Sequence, residues 1–251
     1  MMLHENINMK GYTLILPSVS TGNVGQLTVD LLISSLNLKK TGQCIVKSFI
    51  PIVGPDPYDE KSPELCTAID LFIEPKKKIA VLQIRSPRVI SSTEIFATLK
   101  SFINKNEISK VIILASSYSH EMKDVQLQGS HLRYLACSST LKKNKSTFDN
   151  MNWIELEPKV DEKNNATITR IPGGGFAKVL YDNLCKASIE STILIKFCSE
   201  GDNILDALAL LSYLNQWVCL IELKNNGIER RVKYPLSWKM LFGNLPPCEI
   251  Y

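Results

Sequence analysis

The stretch Leu14 to Leu36, LILPSVSTGNVGQLTVDLLISSL, constrains the fold most, because it sets a buried strand, a glycine-bearing turn and an amphipathic helix in immediate succession. Thr13 to Leu16 is a short apolar, β-branched run, and Pro17, which has no amide hydrogen for a sheet ladder, closes it. Gly22, Asn23 and Gly25 then turn the chain. Thr21 or Asn23 is expected to cap the helix by accepting a backbone N–H. Val24, Leu27, Leu31 and Leu32 follow at helical spacing and form one inward stripe. A strand, a glycine turn and a helix N-terminus can also hold an anion. This one has neither GxGxxG nor GxxxxGK[ST], so the lysine and the metal-binding hydroxyl of a phosphate loop are missing. The segment reads as scaffold.

What surrounds it must supply a matching core. With 251 residues and 45% apolar content, the chain is long enough for one large α/β domain. The formal charge of +4 is scattered over Lys76 to Lys78, Lys142 to Lys145 and Glu229 to Lys233. Aromatic residues do not interleave with these runs, so they read as solvated loops and no nucleic-acid partner is expected. Seven cysteines, Cys44, Cys66, Cys137, Cys185, Cys198, Cys219 and Cys248, are odd in number and show no CxxC spacing. They read as reduced core thiols. The first twelve residues carry no apolar signal region, and Leu205 to Leu223 is interrupted by Asp206, Asn215, Gln216 and Glu222. The expectation is therefore no signal peptide, no membrane span, no glycan at the Asn144 or Asn165 sequons, and residence in cytoplasm and nucleus.

In chain order, Cys44 to Val53 and Ala68 to Ile73 look like strands, joined through a proline-rich loop, GPDPYDEKSP. The polar turn at Glu74 to Lys78 predicts a hairpin with Ile79 to Arg85. Ser91 or Ser92 can cap a helix carrying Ile95, Phe96, Leu99, Phe102 and Ile103, and Lys110 to Ala115 is a fully buried strand. That strand, helix, strand order indicates an α/β domain. Ser116 to Asn150 is polar, with an apolar island at Leu132 to Cys137, and Leu141 to Asp149 reads as a loop. Trp153 to Glu157 and Thr167 to Ile171 can be strands. A break at Pro172 leads into a helix bearing Val179, Leu180 and Leu184. Ile193 to Cys198 is a further buried strand, and Ile204 to Leu220 is the longest helix.

Three groups of residues could carry chemistry. Gly173, Gly174 and Gly175 open a helix, so their amides could hold phosphate; a sharp turn whose φ angles β-branched residues avoid needs the same glycines. Glu200, Gly201, Asp202 and Asn203 follow a strand and could gather a cation. Asp202 or Asn203 as helix cap, with Asp206 in the first turn, accounts for them equally. Ser117, Ser119 and His120 hold a hydroxyl and a base, but no elbow motif aims a nucleophile. His4, His120 and His131 lack metal-ligand spacing. No catalytic set, cofactor site or metal site emerges.

The blocks LPSVSTGNVGQL at Leu16 to Leu27, FIPIVGPDPY at Phe49 to Tyr58, LQIRS at Leu82 to Ser86, RIPGGG at Arg170 to Gly175, FCSEGDN at Phe197 to Asn203 and SWKMLFG at Ser237 to Gly243 closely resemble the proteasome assembly chaperone 2 family. They run in the right order over nearly the whole chain. The resemblance implies a single α/β domain over residues 1–251, with a central mostly parallel or mixed sheet flanked by helices on both faces. It also implies a non-enzymatic chaperone without cofactor, paired as a heterodimer with proteasome assembly chaperone 1 and bound to the α subunits of the assembling 20S α-ring. Relatives end in a hydrophobic–tyrosine–any tail that enters pockets between α subunits. Within residues 244–251 the counterpart here is Ile250-Tyr251 after Glu249, one residue out of register, which leaves Ile250 and Tyr251 as expected partner contacts. An enzyme of nucleoside-phosphorylase type, holding phosphate at Gly173 to Gly175, is the alternative. It requires convergent polar groups in a pocket.

Overall fold

Four apolar runs buried on both sides form the parallel centre of the sheet, which is where such runs belong when helices cover both faces. The computed structural model describes residues 2–3, 7–90, 93–122, 126, 130–161, 166–222 and 232–240. Its strands are β1 (Met2–Leu3), β2 (Thr13–Pro17), β3 (Lys39–Gln43), β4 (Val53–Pro55), β5 (Leu65–Thr67), β6 (Ile69–Glu74), β7 (Ile79–Ile84), β8 (Lys110–Tyr118), β9 (Leu132–Ala136), β10 (Lys159–Asp161), β11 (Ala166–Ile168) and β12 (Ser191–Cys198). The helices are α1 (Val24–Leu36), α2 (Glu94–Lys105), α3 (Ser138–Asn150), α4 (Ala177–Lys186) and α5 (Ile204–Val218).

Eight strands make one mixed sheet in the order β1-β3-β6-β7-β2-β8-β12-β9, its outermost member only two residues long. β7, β2, β8 and β12 are parallel, and the flanking pairs are antiparallel. β4–β5 and β10–β11 are separate two-stranded hairpins. Alternation along each strand divides the core. Leu14, Leu16, Ile113 and Ile195 face α2 and α4, while Ile15, Ile112, Leu114 and Leu194 face α1, α3 and α5. The expected α/β architecture with helices on both faces is present.

Three expectations are corrected. The first concerns Cys44 to Val53, where the strand falls earlier, at the polar Lys39–Gln43. Near the sheet edge, pairing with β6 and an ion pair between Lys40 and Asp70 at 2.8 Å decide the strand, and apolarity does not. Cys44, Val46 and Phe49 are buried instead from a loop.

The second concerns Leu141 to Asp149, which is helical. α3 is polar on most of its surface, so its pattern is weak; it is held by Phe148, fully buried among Tyr134, Trp153 and Trp217 at ring distances of 4.7, 5.2 and 5.0 Å. A Lys145–Asp149 pair at 2.7 Å spans one helical turn.

The third concerns Trp153 to Glu157, which is a bridge and not a strand. Its backbone bonds to Tyr134 at 3.1 and 2.8 Å cover the outer edge of β9.

Phe148→Ala is expected to cost about 3–5 kcal/mol because it empties the centre of this aromatic cluster. Lys145→Ala, on the exposed side of α3, should stay within about 0.5 kcal/mol. Urea unfolding of both variants checks the contrast; equal midpoints would show that α3 is not anchored by its one buried ring.

Candidate functional site

The parallel strands β2, β8 and β12 end on one edge of the sheet, the place where open α/β folds bind ligands. Here the edge is filled by the chain itself. The turn Pro172 to Gly175, which precedes α4, packs between the loop after β2 and the end of β8. Thr21 donates its amide to the Gly173 carbonyl at 2.9 Å, Ser18 donates its hydroxyl to the Gly174 carbonyl at 2.9 Å, and Ser117 donates to the Pro172 carbonyl at 2.7 Å. Ser116 binds the same loop: its amide donates to Ser20 Oγ at 3.0 Å and its hydroxyl to the Thr21 carbonyl at 2.5 Å. Cys198, at the end of β12, points at the Thr21 carbonyl from 3.6 Å, and burial pushes its thiol up to about 11.

The glycines permit this closeness. Gly173 and Gly175 have φ of +74° and +59°, and a β-carbon would strike Thr21 at the first and the Val19 carbonyl at the second. Gly174 corrects the expectation of a left-handed φ along the whole turn. It lacks one, and what it cannot tolerate is contact with Ile171. Gly25 lies in the first turn of α1, where a β-carbon would come 2.5 Å from the Leu114 carbonyl oxygen, and Gly22 lies against the Asn203 side chain.

Capping differs from expectation at α1 and follows one of the two expected residues at α5. Asn23 takes the N-cap position of α1 in a left-handed conformation without a side-chain cap, and Thr21 donates its hydroxyl to Gly173. At α5, Asn203 occupies the N-cap but turns its amide to the Gly201 carbonyl at 3.0 Å, while Asp202 accepts the Ile204 N–H at 3.1 Å. Asp206 pairs with Lys196 at 3.2 Å. Glu200 and Gly201 are exposed, and no group of three potential metal ligands exists among the described residues. Ser119 shares a hydrogen bond with Ser199, and His120 stacks on Tyr118, so the hydroxyl and base are not assembled for attack. Ser91, Ser92, Ile250 and Tyr251 lie outside the described residues.

A second cluster escaped the sequence reading. Asp30 of α1 accepts hydrogen bonds from Tyr58 at 2.5 Å, Gln83 at 2.6 Å and Arg85 at 3.0 Å, and Arg85 also donates to the Tyr58 hydroxyl at 2.7 Å. Burial, then the Asp30 carboxylate, push the Tyr58 phenol well above its usual range. Burial opposes the Arg85 charge, but Asp30 and Tyr58 outweigh it and the guanidinium is held protonated. This network fixes the proline-rich loop, on which residues 232–240 rest: Ser237 donates its amide to the Pro57 carbonyl at 3.1 Å, and Lys239 approaches Glu60 at 3.7 Å. Asp30, Tyr58 and the Gln83–Arg85 pair come from three segments far apart in sequence, and no periodic pattern joins them.

A third feature is a flap rich in exposed apolar side chains: Ile45, Ile50, Ile52, Val53, Val89 and Ile90. Two adjoining segments carry it, joined by Val89 donating to Ser48 at 2.9 Å and by the Phe49–Arg88 bridge. Apolar exposure concentrated in this way is found where proteins contact other proteins, membranes or ligands.

Residues 14–220 match the model of the PAC2 family. The chain is 38% identical over 254 residues to proteasome assembly chaperone 2 of Homo sapiens, covering 96% of each, and 38% identical over 248 residues to that of Xenopus tropicalis, covering 96% of this chain and 95% of the other. Among solved structures, PbaA of Pyrococcus furiosus, described as an archaeal homolog of proteasome-assembly chaperone, superposes with a TM-score of 0.65 at 16% identity, over 94% of this chain and 90% of its own.

Gly175→Ala is expected to destabilise the fold by about 1–3 kcal/mol from backbone strain alone, before contact with Val19 adds to it. A melting temperature equal to that of the parent would contradict the close-packed turn. Arg85→Ala strips a buried carboxylate of its counter-charge and should cost about 3–5 kcal/mol. It should also expose the proline-rich loop, so that trypsin cuts at Lys61 sooner than in the parent protein; unchanged cleavage would show that the network does not hold the loop.

Proposed function

The chain belongs to the PAC2 family, and from that premise we propose that it is a non-enzymatic proteasome assembly chaperone that pairs with proteasome assembly chaperone 1 and engages the α subunits of the 20S particle as their ring forms. The observation that carries this reading is the identity to the chaperone relatives, sustained over 96% of the chain. Two structural features support it. Turns of the chain itself occupy the edge where an α/β enzyme would seat phosphate, and Gly174 gives its amide to the Ile171 carbonyl at 3.0 Å. The exposed aliphatic groups lie on a flap, where they suit a protein partner better than a small ligand. The nucleoside-phosphorylase reading gains nothing from this arrangement. Cytoplasm and nucleus remain the proposed compartments, since proteasome assembly requires the chaperone where α subunits are present.

A tagged copy expressed in cells should co-purify with a second chaperone and α subunits, free of the β subunits of mature particles. Recovery of neither would reject the proposal. Ile250 and Tyr251 are proposed to anchor in a groove between α subunits, an aliphatic group and a phenol being suited to a pocket with one polar wall. Deleting residues 249–251 should weaken α-ring binding by about 1–3 kcal/mol and leave the pairing of the two chaperones intact. Undiminished α-ring binding in a direct titration would reject the tail as an anchor.

A further inference from the structure

At the opposite end of the sheet from the glycine turns, Cys137 and Cys185 line one open cavity of about 410 Å³ together with Ser138, Ser139 and Tyr181. Cys137 stands immediately before α3, at its N-cap. Its sulfur lies 3.0 Å from the Ser139 hydroxyl and 3.2 Å from the Thr140 hydroxyl, and it accepts the Ser191 N–H at 3.3 Å. Burial alone would raise this thiol, but its hydrogen bonds with Ser139 and Thr140 and those from the Ser191 and Thr140 amides outweigh it and the thiol is lowered. Cys185 differs: burial raises it, and Tyr181 and Asp182 of the same helix face it. Its sulfur lies 3.5 Å from the Ser191 hydroxyl, so a single residue touches both thiols. A partly exposed thiol that accepts several hydrogen bonds, beside a second thiol on the same cavity, is the arrangement of a peroxide-responsive pair.

We propose that Cys137 and Cys185 form a dithiol site for small hydroperoxides, with Cys137 as the attacking sulfur and Cys185 as the resolving one. The Cys137 thiolate attacks the terminal peroxide oxygen; the S–O bond forms, the O–O bond breaks, and the departing hydroxide or alkoxide takes a proton to leave as water or an alcohol. Sulfur loses the two electrons that the peroxide gains. Cys185 then attacks the sulfenic sulfur, the S–S bond forms, the S–O bond breaks, and a second water carries away the oxygen and the Cys185 proton. The resulting disulfide ties the start of α3 to the end of α4.

Exposure and activation make opposite forecasts, which allows a clean test on the full chain. Cys219 is exposed at the end of α5, whereas Cys137 is only partly so. In limited iodoacetamide labelling at pH 7 followed by peptide mapping, Cys137 should react faster than the more exposed Cys219, because activation of the sulfur rather than exposure sets the rate. Its rate should also level off at lower pH. Ser139→Ala, an exposed substitution that removes one donor without touching the core, should slow Cys137 and leave Cys219 unchanged. Treatment with hydrogen peroxide should yield a Cys137–Cys185 cross-linked peptide that Cys185→Ser abolishes. Faster labelling at Cys219, or insensitivity of Cys137 to Ser139→Ala, overturns the activated thiol. Oxidation of Cys137 to sulfinic acid without the cross-link overturns the role given to Cys185.

Discussion

Two stretches of backbone approach within van der Waals contact at the carboxyl edge of the sheet because glycine stands at both crossing points. The Val19 carbonyl and the Thr21 side chain occupy the space that β-carbons of Gly175 and Gly173 would need, and the left-handed φ at each residue carries the chain around them. Once the turn is seated, Ser18, Thr21 and Ser117 use it to satisfy polar groups that would otherwise be buried unpaired. The loop after β2, the start of α1, the end of β8 and the entry to α4 are thereby joined. The helices on both faces inherit their positions from that joint, since α1 begins on one side of it and α4 on the other.

This joint explains why a sequence rich in ligand-site fragments builds no ligand site there. Glycine turns at helix starts commonly leave amides free for phosphate. In this protein one turn is inserted into another, so backbone carbonyls and serine hydroxyls stand where an anion would sit. What the molecule presents outward is of another kind, a flap of exposed aliphatic side chains and a proline-rich loop held from behind by the Asp30, Tyr58 and Arg85 network. Hydrogen bonds among buried polar groups favour one arrangement of the segments they join. Here those segments are α1, β7 and the loop on which residues 232–240 rest.

Much of the sheet was legible from the residues. Ile79 to Ile84, Lys110 to Ala115 and Ile193 to Cys198 are buried on both faces, and a continuous apolar run has few other places to go. β3 was not legible, because an edge strand with one long neighbour needs no apolar pattern, and Lys40 is held there by Asp70. α3 was hidden for the opposite reason: its docking rests on Phe148, one ring among polar residues, and its aromatic partners come from three other segments. The glycine blocks could be picked out as turns, but that they lock into each other depends on strand order, which spacing along the chain does not encode. Asp30 and Arg85 meet for the same reason, Asp30 lying on α1 and Arg85 directly after β7, and not as neighbours in sequence.

If the glycine turns form a structural joint, their amides can exchange with solvent only when the domain as a whole unfolds. Native-state hydrogen exchange followed by NMR reads this directly, through Thr21 and Tyr118, whose amides bond to the Gly173 and Pro172 carbonyls, and Gly174, whose amide bonds to the Ile171 carbonyl. The account predicts opening free energies for all three within about 1 kcal/mol of those of β8 amides such as Ile113 and Leu114. Opening of Thr21 and Gly174 several kcal/mol below the β8 value would make the turn a lid over the sheet edge, and would contradict the joint on which this account rests.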